Sequence, residues 1–151
     1  MPSSYAALYT HIVFSTRARE PWITAPWATR LYSYIGGLCR ERGYVLLRAG
    51  GMPDHVHLLV SFGRDTKPSD FMRDLKAGSS KWVHDTFADK HGFSWQDGYG
   101  IFSVSVSQLE RVEAYIEKQE EHHRKKTFKQ EFEVILRKHR IEFDDKYLWP
   151  E

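Results

Sequence analysis

The sequence predicts an α+β domain of the ferredoxin-like, split βαβ kind: an antiparallel sheet with helices on one face, extended by a C-terminal helix and tail. Three observations predict it. Apolar periodicity runs in the order strand, helix, strand, strand, helix, strand, helix, and the first six elements have the split βαβ order. Strands two and three are separated only by the turn-forming stretch Gly50-Gly51-Met52-Pro53-Asp54, which makes them a hairpin. A length of 151 residues suits a single core. The expected organisation is one domain over residues 1–151, with a core at about 5–123 and a C-terminal helix and tail at about 124–151.

After a frayed start at residues 1–4, Tyr5 to Thr16 is rich in β-branched and aromatic residues and predicts the first strand. Alternation puts His11, Val13 and Ser15 on one face and Ile12 and Phe14 on the other. Arg17 to Trp22 reads as a basic loop. Leu31, Tyr34, Ile35, Leu38 and Cys39 recur at helical spacing, so a helix is expected from about Pro26 to Arg42, C-capped by Gly43. Tyr44 to Ala49 predicts strand two and His55 to Phe62 strand three. Ser69 is the expected N-cap of a second helix at about Asp70 to Phe87. Within it, Ser79 and Ser80 lie between Lys76 and Lys81, a set that suits phosphate contact or a solvated helix face. Ile101 to Ser105 predicts strand four. Ser107, with Glu110 three residues on, predicts a capping box for a third helix at about Gln108 to His123. A last helix is expected from about Thr127 to His139, packed down by Phe132, Ile135 and Leu136. The tail from Ile141 to Glu151 is aromatic and suits docking on the domain or across a dimer. The sheet face away from the helices is expected to be open to a site.

Composition narrows the function classes. Apolar residues make up 41% of the chain, enough for a core, and the net charge is only +2. The overall charge therefore does not argue for nucleic acid; local clusters such as His122-His123-Arg124-Lys125-Lys126 do so better. The single cysteine, Cys39, excludes an internal disulfide and a multi-cysteine zinc site. Nothing reads as a signal peptide, and no apolar run approaches the ~20 residues of a membrane span, so a soluble, cytoplasmic protein is expected.

His55 and His57 are two apart on a predicted strand, so they project from one face while Val56 faces the other. Two neighbouring imidazoles make half a metal site, or simply hydrogen-bond at a strand start; two ligands alone do not decide. The third helix offers more. Leu109, Val112 and Ile116 form its apolar stripe, while Gln108, Arg111, Tyr115, Gln119 and His122 share a polar one. Tyr115 thus lies off the core stripe, either as a surface tyrosine or as a nucleophile beside a metal. Two imidazoles and the Gln119 amide oxygen suit Mn²⁺ or Mg²⁺, with positions left for a phosphate oxygen.

These residues carry a resemblance. Gly51-Met52-Pro53-Asp54-His55-Val56-His57-Leu58-Leu59-Val60, the opening Tyr9-Thr10-His11-Ile12-Val13-Phe14-Ser15-Thr16, Leu75-Lys76 through Ser79-Ser80, Gly98-Tyr99-Gly100 and Tyr115-Ile116-Glu117-Lys118-Gln119 fall in the order found in the single-tyrosine transposases of bacterial and archaeal insertion sequences. The chain resembles that family, part of the HUH endonucleases, over nearly its whole length. The resemblance implies that Tyr115 attacks a phosphodiester of single-stranded DNA, giving a 5′-phosphotyrosine link and a free 3′-OH that later serve strand transfer. It implies His55, His57 and Gln119 as ligands of a divalent metal, Mg²⁺ or Mn²⁺, and no nucleotide cofactor. It also implies a homodimer acting on imperfect hairpins, with the tyrosine meeting the histidines within one chain or across two. For DNA contact, charge alone singles out Arg17, Arg19, Lys76, Lys81, Arg124, Lys125 and Lys126. The alternatives are a domesticated nuclease acting on chromosomal repeat hairpins, a non-catalytic hairpin or single-strand binder, and a metal hydrolase. The last needs a barrel far longer than this chain.

Overall fold

Strand β1 (Leu8–Ser15) lies between β3 (His55–Phe62) and β4 (Gly100–Val104), and β2 (Val45–Met52) pairs with the outer side of β3. The order β2-β3-β1-β4, antiparallel throughout, is that of the split βαβ fold. A computed structural model describes residues 3–149; residues 1 and 2 of the expected frayed start, and 150 and 151 of the tail, lie outside the described residues.

The alternation read from the sequence holds. Ile12, Phe14, Val56, Leu58 and Val60 share one face and pack beneath α1 (Trp27–Glu41) and α2 (Pro68–Thr86), against Leu31, Ile35, Phe71 and Leu75. Each of these side chains is almost fully withdrawn from water, worth roughly 1.5–3 kcal/mol apiece before chain entropy is counted.

The other face is not open. The C-terminal helix α5 (Phe128–Lys138) lies across it and buries Val13 and Phe102 under Phe128, Phe132, Ile135 and Leu136. The tail continues the roof: Phe143, Leu148 and Trp149 pack against this second cluster, and Trp149 meets the rings of Phe128 and Phe132 edge-on. The tail docks on its own chain here, while Tyr147, on the short helix α6 (Asp145–Leu148), stays exposed. The apolar stripe of α5 showed that it packs, but not onto which surface.

Several boundaries move for local reasons. Strand β2 runs on through Gly50 and Gly51, leaving Pro53-Asp54 as the hairpin turn. Gly50 allows this because a Cβ there would stand 2.9 Å from the Ile116 carbonyl oxygen of α3 (Leu109–Glu117). Helix α2 opens at Pro68 with Lys67 as N-cap, not at Ser69, since proline fits a first turn that needs no N–H. The capping box expected at Ser107 is absent: Ser105 instead caps a 3-10 turn at Val106–Gln108, which leads into α3. The expected continuous third helix kinks at Lys118 (φ −99°, ψ 23°) and resumes as α4 (Gln119–His122). Helix α5 does open on a capping box: Gln130 N donates to Thr127 Oγ1 and Thr127 N to Gln130 Oε1. Among the described residues, no helix is long and apolar enough to cross a membrane.

Candidate active site

The two histidines sit beneath the roof. In β3, His55 and His57 project onto the α5 side, opposite Ser15 and Val13 of β1, and neither is exposed. His55 Nδ1 lies 2.7 Å from Asp54 Oδ1. A carboxylate accepts, so Nδ1 carries a proton and Nε2 is the atom turned to the site. His57 Nδ1 lies 2.8 Å from His11 Nε2 on β1.

Helices α3 and α4 bring in the residues read from the polar stripe. Tyr115 meets the His57 ring edge-on, centroids 5.8 Å apart, and stacks on His122 at 4.5 Å. Gln119 is buried, its Oε1 2.9 Å from His55 Nε2. Tyrosine, both histidines and the glutamine therefore meet within one chain.

At their centre stands a residue the sequence reading missed, Glu131 of α5. Its Oε1 lies 3.1 Å from His57 Nε2, 3.3 Å from His55 Nε2 and 3.0 Å from His123 Nε2. Its Oε2 accepts from the Tyr115 hydroxyl and, at 2.9 Å, from Gln119 Nε2. A signal was present: Glu131 falls on the α5 face that carries Phe128, Phe132 and Ile135, where a charge is out of place unless it is paired.

The electrostatics follow. Burial opposes the charged form of His55, but its bonds to Asp54 and Glu131 win and push it up to about 9. Burial holds His57 below its ordinary value, and lowers His11, beside it, to about 3. Burial also works against the Glu131 carboxylate, but the bonds from His55, His57 and Tyr115 keep it ionised, well below the usual carboxylate range. Burial and the neighbouring Glu131 charge push the Tyr115 phenol up, so it is held protonated in this arrangement. The site thus gathers positive charge about Glu131 by keeping a proton on His55.

That is the environment a divalent cation would take over. The ligating atoms of His55, His57 and Glu131 lie within 4.8 Å of one another, all on buried residues, and Gln119 Oε1 adjoins them. Imidazole nitrogens with a carboxylate and an amide oxygen form a donor set for a borderline divalent ion. The residues fit a metal.

The basic candidates divide. Arg19, Arg124, Lys125 and Lys126 line a cleft of about 550 Å³ that reaches Asp54 and His123. A smaller cavity of about 310 Å³, between α4 and α5, reaches Tyr115, His122 and Glu131 and is also lined by Lys125 and Lys126. Arg17 lines neither. Lys76 and Lys81 sit on α2, across the sheet. Lys76 Nζ donates to the Gln96 and Gly98 carbonyls, and Lys81 pairs with Asp85. Ser79 is fully buried, donating to the Leu75 carbonyl and accepting from Trp95 Nε1, so it has no face for a phosphate.

Residues 4–119 match the family model described as "Transposase IS200 like". The chain belongs to the IS200-like transposase family. An IS200-like transposase is an enzyme that cuts and rejoins DNA, which sets aside a purely binding module. The ISDra2 transposase TnpA of Deinococcus radiodurans is 25% identical over 114 residues, covering 72% of this chain and 81% of its own. The transposase for insertion sequence element IS200 of Salmonella typhimurium is 26% identical over 114 residues, covering 72% and 74%. Among solved structures, a protein of Deinococcus radiodurans R1 described as a candidate transposase superposes with a TM-score of 0.65 at 26% identity, covering 79% of this chain and 95% of its own. A REP-associated tyrosine transposase bound to a REP hairpin shares the fold, with a TM-score of 0.61 at 16% identity over 82% and 73% of the two chains. The matched segment of this IS200-like transposase ends at Gln119, so Glu131 and the roof helix lie beyond it.

Proposed function

We propose that this transposase cleaves single-stranded DNA beside a hairpin, with Tyr115 as nucleophile and a divalent metal, Mn²⁺ or Mg²⁺, held by His55, His57, Gln119 and Glu131. The observation that carries the reading is the meeting of the Tyr115 hydroxyl, both imidazoles and the Gln119 amide around one buried carboxylate. When bound, the cation polarises the scissile phosphate and offsets the Glu131 charge that disfavours a phenolate.

The chain's own residues do the rest. Asp54 and His11 hold the imidazole rings in place through their Nδ1 atoms. Glu131 fixes the tyrosine hydroxyl, and His122 stacks along its ring. In the step itself a bond forms between the Tyr115 oxygen and phosphorus, and the bond from phosphorus to the 3′ oxygen breaks. The phenol loses its proton and the 3′ oxygen is released as a hydroxyl, so the phosphodiester energy is kept in the phosphotyrosine and no nucleotide cofactor is needed. A 3′-OH attacking that link completes strand transfer. The cleft lined by Arg19, Arg124, Lys125 and Lys126 runs beside the site and suits a phosphate backbone.

In this reading residues 1–151 act as one domain, because the C-terminal helix supplies part of the site. Each chain carries a complete site, and a homodimer in the cytoplasm would present two of them to the two ends of an element. The test is a denaturing gel of the protein with end-labelled hairpin DNA and Mn²⁺. Tyr115→Phe should abolish the covalent adduct while hairpin binding stays within about twofold of wild type. An adduct with the variant overturns the nucleophile assignment.

A further inference from the structure

Resting on the metal reading above, we propose that His123 is a further ligand of the same ion, making the set richer in nitrogen than the two strand histidines alone provide.

His123 is one helical turn past Gln119, so the two side chains leave α4 on the same side. Its side chain is only 7% exposed and its ring lies against His55, centroids 4.6 Å apart. Nδ1 lies 2.7 Å from the Lys126 carbonyl oxygen. A carbonyl only accepts, so Nδ1 carries the proton and, in the neutral ring, the Nε2 lone pair faces the site. What Nε2 meets there are two further acceptors: Glu131 Oε1 at 3.0 Å and Gln119 Oε1 at 3.2 Å. The glutamine cannot turn its NH₂ group to help without giving up its bond to Glu131 Oε2.

A neutral His55 ring meets the same conflict, since its Nδ1 is committed to Asp54 and its Nε2 faces Gln119 Oε1 at 2.9 Å and Glu131 Oε1 at 3.3 Å. Four lone-pair atoms thus converge with no hydrogen between them in neutral rings, an arrangement that calls for positive charge in their midst. The spacing also matches. With metal–ligand bonds of about 2.1 Å, neighbouring ligands of a six-coordinate ion stand about 3.0 Å apart. The separations 2.9, 3.0, 3.1, 3.2 and 3.3 Å linking His55, His57, His123, Gln119 and Glu131 cluster about that value. Two ligands one turn apart on a helix is a proven way to grip a cation. His123 lies beyond the segment that matches the family, so this ligand belongs to the chain's own C-terminal region.

The test titrates the full-length protein with Mn²⁺ alone, followed by electron paramagnetic resonance, with nitrogen couplings read from the echo modulation. His123→Ala should weaken Mn²⁺ at least tenfold and remove one imidazole coupling. His123→Asn keeps a donor for the Lys126 carbonyl while deleting Nε2, and should lose Mn²⁺ to the same extent. If His123→Asn binds Mn²⁺ as wild type does with its couplings unchanged, His123 serves only the Lys126 bond and the proposal falls, the metal reading surviving. If neither wild type nor His57→Ala binds Mn²⁺, the metal reading itself fails and this proposal with it. Thermal unfolding of each variant without metal shows that it is folded; should His123→Ala not fold, His123→Asn carries the test.

Discussion

His55 and His11 pull the stability of the metal-free protein in opposite directions with pH. His55 stands at about 9 in the fold against an ordinary 6.5, so its contribution is complete below 6.5 and is lost as pH rises through 9. His11 stands at about 3 against the same 6.5, so its contribution is complete above 6.5 and is lost as pH falls towards 3. In chelator, the urea midpoint should therefore peak near pH 6.5 and decline on both sides. Asp54→Asn should flatten the alkaline side, since it removes the larger of the bonds that raise His55. A midpoint flat from about pH 6 to about pH 9 in wild type sinks the assignment. At this scale the sequence was informative wherever periodicity fixes direction. His55 and His57 had to share a face, and Tyr115 and Gln119 had to share another. Glu131 escaped because its pairing with the sheet beneath it and with α3 and α4, which is what makes a buried carboxylate tolerable, is not written in the spacing of its own helix.

Helix α3 reaches the histidines because β2 has no side chain in its way. A methyl at Gly50 would come within 3.0 Å of Ile116 Cγ2 and closer still to its carbonyl oxygen. Gly50→Ala should cost about 1–3 kcal/mol and, by lifting α3 with Tyr115, reduce adduct formation more than hairpin binding. Unfolding and gel assays on the same preparation check both halves. Helix α5 depends on its cap: Thr127→Ala should cost about 1 kcal/mol and loosen the turn that leads to Glu131, read as faster amide exchange at Phe128 to Gln130. Strand β3 was legible to the residue because a turn bounds it on one side and a polar loop on the other. The kink at Lys118 was not, since the 3.6-residue stripe runs on across it and holds no breaker.

The sheet order was legible in the whole molecule because split βαβ connections leave few alternatives. The roof was not. Amphipathic helices announce a buried side, and either face of the sheet would have satisfied α5. Its removal has a definite expected result. A chain ending at Lys126 uncovers Val13 and Phe102 and loses the carboxylate between the histidines. It should bind an apolar dye strongly, self-associate in light scattering, and hold Mn²⁺ at least tenfold more weakly than the full chain. A truncated chain that stays monomeric, dark to the dye and equally tight for Mn²⁺ refutes the role given to the roof.

The position of Glu131 along the chain bears on when activity can begin. A polypeptide growing on the ribosome exposes His55, His57, Tyr115 and Gln119 before Glu131 and the capped helix that carries it. Until that helix emerges, the Tyr115 hydroxyl lacks its Glu131 acceptor and the histidine face lies bare. Completion of the site is therefore tied to the emergence of that helix. A protein that cuts DNA would thus be withheld from its substrate until its roof has left the ribosome.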